Sequence, residues 1–347
     1  MSDRYVQTVL GKIDPEMLGH TQPHEHLLCD LWTGVPSDAT ASDRARYLEP
    51  VRLSNRYWNR RNHSRDDLQI LSIDDAVEES IAFRAAGGGT LVDVTPVCLA
   101  RDPVGLASIA RMSGVNVVMG SGYYTQPYHS PSLADRSESE IAAEIIRDIR
   151  DGVGETSIRA GIIGEIGMGW PLHPDEAKVL RAAVIAQRDT GAALSIHPSR
   201  GNPNAPFDHI RMLERSSVDM SKVIMGHIDR TLFDVESVLR LAESGCVLAY
   251  DLFGREHSYY SLDPTIDMPN DAIRIKYIQA LIEAGFGDSI LISQDMCRKT
   301  HLTKFGGEGS THILKHVLPT MRRKGISSED IDRIVMGTPK RLLSLSS

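Results

Sequence analysis

The chain has 347 residues, 41% of them hydrophobic and 24% charged, with a net charge of −8 and a pI near 5.9. A sequence of this length and apolar content buries a sizeable core, and its acidity argues against a nucleic acid as main partner, because such binding needs a basic face that releases counterions. No apolar run approaches the roughly 20 residues that span a bilayer. The opening MSDRYVQTVLGK also lacks the basic start and apolar stretch of a leader, so the sequence predicts a cytoplasmic protein with no membrane partner.

Near the start, GHTQPHEHLL over 19–28 sets His24 and His26 on either side of Glu25, after His20. Short apolar, β-branched runs then recur at 90–97, 116–124, 160–167, 193–198, 222–229, 246–253 and 289–296, which with the opening stretch makes eight predicted strands. Helix-like segments lie between most of them: DAVEESIAFRAAGG, ESEIAAEIIRDIRDG, DEAKVLRAAVIAQRDTG, DVESVLRLAESG and IRIKYIQALIEAGFG. Several end in a glycine suited to a helix C-terminus. Eight strands alternating with helices predict an α/β fold, a (β/α)8 TIM barrel formed as one domain over 1–347. The competing doubly wound sheet carries a glycine fingerprint after its first strand. Here Gly87-Gly88-Gly89 precedes a strand and Gly306, Gly307 and Gly309 sit in a polar loop.

Long loops are expected after strands 1, 7 and 8, over the C-terminal mouth where barrel substrates bind. The first, 29–73, holds seven arginines between residues 44 and 65, together with Trp32 and Trp58. Its arginines read first as a surface and second as an anion-binding lid, and the aromatic stretch around Trp58 as a candidate homodimer face. The four cysteines, Cys29, Cys98, Cys246 and Cys297, are widely spaced without a CxxC pair and are expected to be reduced and mostly buried.

Alternate strand residues share a face, so His24 and His26 point together while Glu25 points away. His20 lies deeper on the same side and is expected in the core or behind the ligands. Glu165, His197, His227 and Asp295 each follow an apolar run, at the rim where barrels place chemistry. Burying such groups without partners is costly, and imidazole and carboxylate are the usual ligands of a divalent metal. Six candidate ligands exceed what one zinc with an open position uses. The arrangement expected is therefore two divalent ions, Zn2+. His24, His26 and Asp295 hold one, His197 and His227 hold the other, and Glu165 bridges. Water held between two such ions ionises near neutral pH and becomes a nucleophile.

The HEH on the first strand, His on the fifth and sixth, Asp on the eighth, and the stretches GHTQPHEHLL, GHIDR and GTPKRLL resemble the phosphotriesterase-related proteins of the amidohydrolase superfamily over nearly the whole chain. The resemblance implies a (β/α)8 barrel with a binuclear site on the same six residues, and Asp295 as the catalytic group that moves a proton from the attacking water to the leaving group. Two departures stand out. Glu165 occupies the place of the carboxylated lysine found in the organophosphate-hydrolysing and lactonase members, and Thr338-Pro339 replaces the usual Asn-Pro. The reactions implied are hydrolysis of lactones, carboxylic esters, N-acyl amides or phosphotriesters, with a lactone or ester favoured and the N-acyl amide as alternative. A metal-containing binding protein with little turnover is the alternative of another class. Tyr123, Tyr124, Arg230, Arg255, His257 and Arg298, in loops at the mouth, are candidate contacts to a small-molecule substrate with an anionic substituent.

Overall fold

The computed structural model describes residues 4–346. The eight expected strands form one parallel sheet in chain order: β1 (His20–Glu25), β2 (Gly88–Asp93), β3 (Asn116–Ser121), β4 (Ile162–Gly167), β5 (Leu194–His197), β6 (Val223–Met225), β7 (Val247–Tyr250) and β8 (Ile290–Ile292). Alternation along each strand divides the core in two. Val92, Val118, Ile162, Ile224, Val247 and Leu291 fill the barrel interior. Their neighbours Leu91, Val117, Ile163, Val223, Leu248 and Ile290 pack beneath the surrounding helices. Each such fully buried side chain contributes about 2 kcal/mol relative to exposure.

β8 returns beside β1, and side chains join the seam where the ladder stops. The Glu25 carboxylate accepts hydrogen bonds from Ser293 Oγ (2.7 Å), Gln294 N (2.8 Å) and Met296 N (2.9 Å). Ser293 Oγ in turn accepts from His24 N at 3.0 Å. The residue that points away from His24 and His26 thus closes the barrel. At the opposite end, strands Arg4–Thr8, Gly11–Ile13 and Ser344–Ser346 form a small antiparallel sheet, and Val6, Leu342 and Leu343 plug the interior. Thr338 belongs to this end. Its hydroxyl donates to Asp288 O at 3.3 Å, ahead of β8 and away from the mouth, so this departure from the family pattern does not reach the metal site.

All five helix-like segments are helices: Ile73–Ala85, Glu138–Arg150, Pro174–Thr190, Val235–Ala242 and Asp271–Glu283. Among the described residues two further helices reach ten residues or more, Pro103–Ser113 and Ala205–Glu214. The first carried a readable start, with Asp102 capping Gly105 N and Pro103 in the first turn. The loops after β1, β7 and β8 gather over the C-terminal mouth, around a cavity of about 760 Å³. The four cysteines are free, and no helix among the described residues is long and apolar enough to cross a membrane.

Candidate metal centre

The six expected ligands meet at the cavity floor by two different routes. His197 continues the inward parity of β5 after Ala193, and Asp295 lies three residues past the end of β8 at φ +50°. Glu165 and His227 are off parity, and the backbone turns them in. Gly164 has φ +117° and leaves no room for a Cβ against the Ser195 carbonyl, and His227 itself takes φ +51°. β1 is irregular as well, with register shifts on both sides of Thr21–Gln22. These turn His20 outward onto Phe83, ring centroids 5.8 Å apart, so it is a core residue on the helix side and not behind His24.

The donor atoms form two overlapping groups, His24/His26/Asp295 and His24/Glu165/His227, the atoms of each lying within 4.8 Å of one another. His197 Nδ1 completes the second, 2.7 Å from Glu165 Oε2 and 2.8 Å from His227 Nε2. His26 Nε2 lies 3.4 Å from Glu165 Oε1 and 3.3 Å from Asp295 Oδ1. One Glu165 oxygen faces His26 while the other faces His24, His197 and His227, so His24, expected with His26 and Asp295, also stands with the second group.

These residues fit a pair of divalent cations. His24 is buried, its Nε2 3.5 Å from Glu165 and its Nδ1 3.3 Å from Asp251, and neither nitrogen completes a hydrogen bond. Burial pushes the Glu165 and Asp295 carboxyls up, but the histidines around the first and Arg255 beside the second outweigh it and hold both well below the usual range. Burial, aided by His227 and Arg230, lowers the His197 imidazole well below its ordinary value against the pull of Glu165, which leaves a neutral ring suited to ligation.

Outside the donors, Asp251 Oδ1 accepts from His227 Nδ1 at 2.7 Å, and Thr95 Oγ1 lies 2.9 Å from His26 Nδ1. Such bonds fix ring orientation and tautomer. The sequence reading passed over Asp251, although it follows the apolar run of β7 as His197 ends that of β5.

Of the six expected substrate contacts, Tyr124, Arg230, Arg255, His257 and Arg298 line the cavity. Tyr123 does not. Adjacent residues take opposite faces, and its hydroxyl bonds Glu144 (3.0 Å) and Arg136 (2.6 Å) outside the barrel. Two of the arginines are already engaged: Arg255 with Asp295 (2.6 Å) and Arg298 with Asp67 (2.9 Å). The arginine-rich loop divides, with Arg56, Arg60 and Arg61 facing the cavity and Arg46 stacking on Trp58, which itself packs on Tyr47. Arg200, which the sequence reading missed, enters the cavity from the loop after β5 and donates to Tyr260 Oη at 3.0 Å.

A family model described as the phosphotriesterase family matches residues 4–343. The chain is 40% identical to the N-acetyltaurine hydrolase of Salmo salar over 98% of its own length and 97% of that protein, and equally so to that of Homo sapiens. Among solved structures it resembles a resiniferatoxin-binding protein from Rhodobacter sphaeroides, at 30% identity and a TM-score of 0.92, covering 98% of this chain and 94% of that one. The barrel, the ligand cluster at its mouth and these matches place the chain in the phosphotriesterase family, as a metal-dependent hydrolase.

Proposed function

We propose that the protein hydrolyses the amide bond of a small N-acyl amine carrying an anionic group, with N-acetyltaurine as the reference compound, on a centre of two Zn2+ ions. The support is the joining of two features: a buried cluster of four histidines and two carboxylates at the floor of an arginine-lined cavity, and relatives of the same length named for that amide. The lactone or ester favoured from the sequence moves to second place, because the relatives at 40% identity are named for an amide. The four free thiols favour a cytoplasmic setting.

Bound ions would polarise the scissile carbonyl and lower the pKa of water. His24, His26, His197, His227, Glu165 and Asp295 would hold them. An amide needs its leaving nitrogen protonated, and in this reading Asp295 would take a proton from the attacking water and return it to that nitrogen. Arg255 fixes this carboxylate, donating from Nη2 both to Oδ2 (2.6 Å) and to the Asp295 carbonyl (2.8 Å).

The test is product detection after the zinc-loaded protein meets N-acetyltaurine, a lactone panel and carboxylic esters. Acetate and taurine, lost with Asp295→Asn by roughly a hundredfold or more, are expected. Lactone turnover alone would make the protein a lactonase instead. The 30% identical binding protein motivates a second reading, and turnover of nothing with retained ligand binding in both wild type and Asp295→Asn would favour it.

A further inference from the structure

Buried arginines in this protein are paired with carboxylates almost throughout. Arg274 meets Asp229 at 2.8 Å and Asp271 at 2.9 Å, Arg101 meets Asp148 at 2.9 Å, and Arg298 meets Asp67 at 2.9 Å. Two arginines on the cavity wall, the buried Arg230 and the partly exposed Arg200, depart from that rule. Arg230 is only 1% exposed and donates to the carbonyls of Pro198 (3.2 Å) and Ser199 (3.4 Å), with Nη2 standing 3.0 Å from His197 Nε2. Arg200 reaches only hydroxyls, those of Tyr260 (3.0 Å) and Tyr124 (3.4 Å). Neither forms an ion pair with a described carboxylate, and both line the cavity above the ligand cluster.

A guanidinium out of water and without a counter-charge is unfavourable, and two on one wall repel each other. The negative charge that completes such a wall has to arrive with the ligand. We propose that Arg200 and Arg230 form the subsite for the anionic end of the substrate, a sulfonate or carboxylate on the amine portion, held by charge-assisted hydrogen bonds. The inference rests on the amide-hydrolase reading and locates its anion.

His197 sets the spacing. Its Nδ1 belongs to the ligand cluster, 2.7 Å from Glu165, while its Nε2 lies 3.0 Å from Arg230 Nη2 and 3.2 Å from Tyr124 Oη. One imidazole ring therefore separates the place of the scissile carbonyl from the cationic wall. A short spacer between amide and anion spans that width, and a long one overshoots it. The other cavity arginines are engaged elsewhere: Arg60 faces Glu308 at 3.8 Å, Arg61 lies on the Tyr259 ring at 3.9 Å, and Arg56 donates to Thr300 O at 3.3 Å.

Arg200 is the residue to change, because it touches none of the six proposed ligands. Zinc content and unfolding temperature are measured for Arg200→Met, Arg200→Lys and Tyr260→Phe, the last leaving the arginine but removing its hydroxyl partner. Steady-state kinetics follow on N-acetyltaurine and on N-ethylacetamide, which carries the same amide without the sulfonate. With zinc content unchanged, Arg200→Met is expected to raise KM for N-acetyltaurine roughly 10- to 100-fold with kcat little altered. N-ethylacetamide is expected to be unaffected, and Arg200→Lys to recover part of the loss. Equal effects on both substrates, or none on either, overturn the subsite. If the wild type cleaves no amide, the proposed reaction fails, and the subsite is read separately by calorimetric binding of ethanesulfonate and propionate to the zinc-loaded protein. Binding that is lost in Arg200→Met supports it, and no binding to the wild type overturns it.

Discussion

Glu25 and Ser293 stand 268 positions apart in the chain and share a 2.7 Å hydrogen bond across the seam of the barrel. The same carboxylate takes the amides of Gln294 and Met296 and so fixes the backbone on both sides of Asp295. Removing it leaves two buried amide donors and a hydroxyl without an acceptor, so Glu25→Ala is expected to destabilise the fold by roughly 3 kcal/mol or more. Zinc affinity should fall with it. Thermal unfolding and a metal titration measure both effects, and an unfolding temperature equal to wild type would show that the seam does not depend on this residue.

Asp251 holds His227 through Nδ1 at 2.7 Å and through the backbone amide at 3.0 Å. Asp251→Asn keeps the shape but weakens the acceptor that selects the tautomer leaving Nε2 free for metal. A loss of roughly 10- to 100-fold in metal affinity is expected, read by competition against a chromophoric chelator. Unchanged affinity would assign Asp251 to the fold alone.

Stripping metal should lower stability, since the donor set exists only in the folded chain. The unfolding temperature is expected to drop on chelation and to recover with Zn2+ in a concentration-dependent way. Because Glu165 brings its carboxylate without CO2, recovery should not require bicarbonate. A strong dependence on bicarbonate would contradict Glu165 as the bridging group.

His209, in the helix Ala205–Glu214, has both ring nitrogens buried without partners, and burial lowers its pKa to about 4. Below the unfolded value of 6.5 the unfolded chain gains a proton that the folded chain refuses. The penalty is absent above pH 6.5 and grows as the pH falls toward about 4, reaching about 3 kcal/mol. His209→Leu is expected to flatten this acid limb in urea melts taken between pH 7 and 4.5. The same slope in wild type and variant would count against it.

The barrel was legible because its signal is local. A two-residue period, a helix, and a strand end repeat eight times, and each can be read without knowing its neighbours. The same logic reached His197, which sits where strand parity puts it, and ought to have reached Asp251, where Tyr250 faces outward and the next residue inward. Gly164, with its φ of +117°, and His227, at +51°, obey no such period. Their conformations bring Glu165 and His227 to the cluster and are held by contacts from β5 and from Asp251.

The sequence by itself therefore determined the barrel and six ligand-type groups at its strand ends, since strand period and residue type are properties of short segments. Only the tertiary structure decided which charges are satisfied. Arg255 and Arg298 looked as available as Arg230 from sequence, yet carboxylates from other loops neutralise them, while Arg200 and Arg230 meet none. Ion pairing depends on distances of a few ångströms between residues far apart in the chain, and those are set when the loops close over one another.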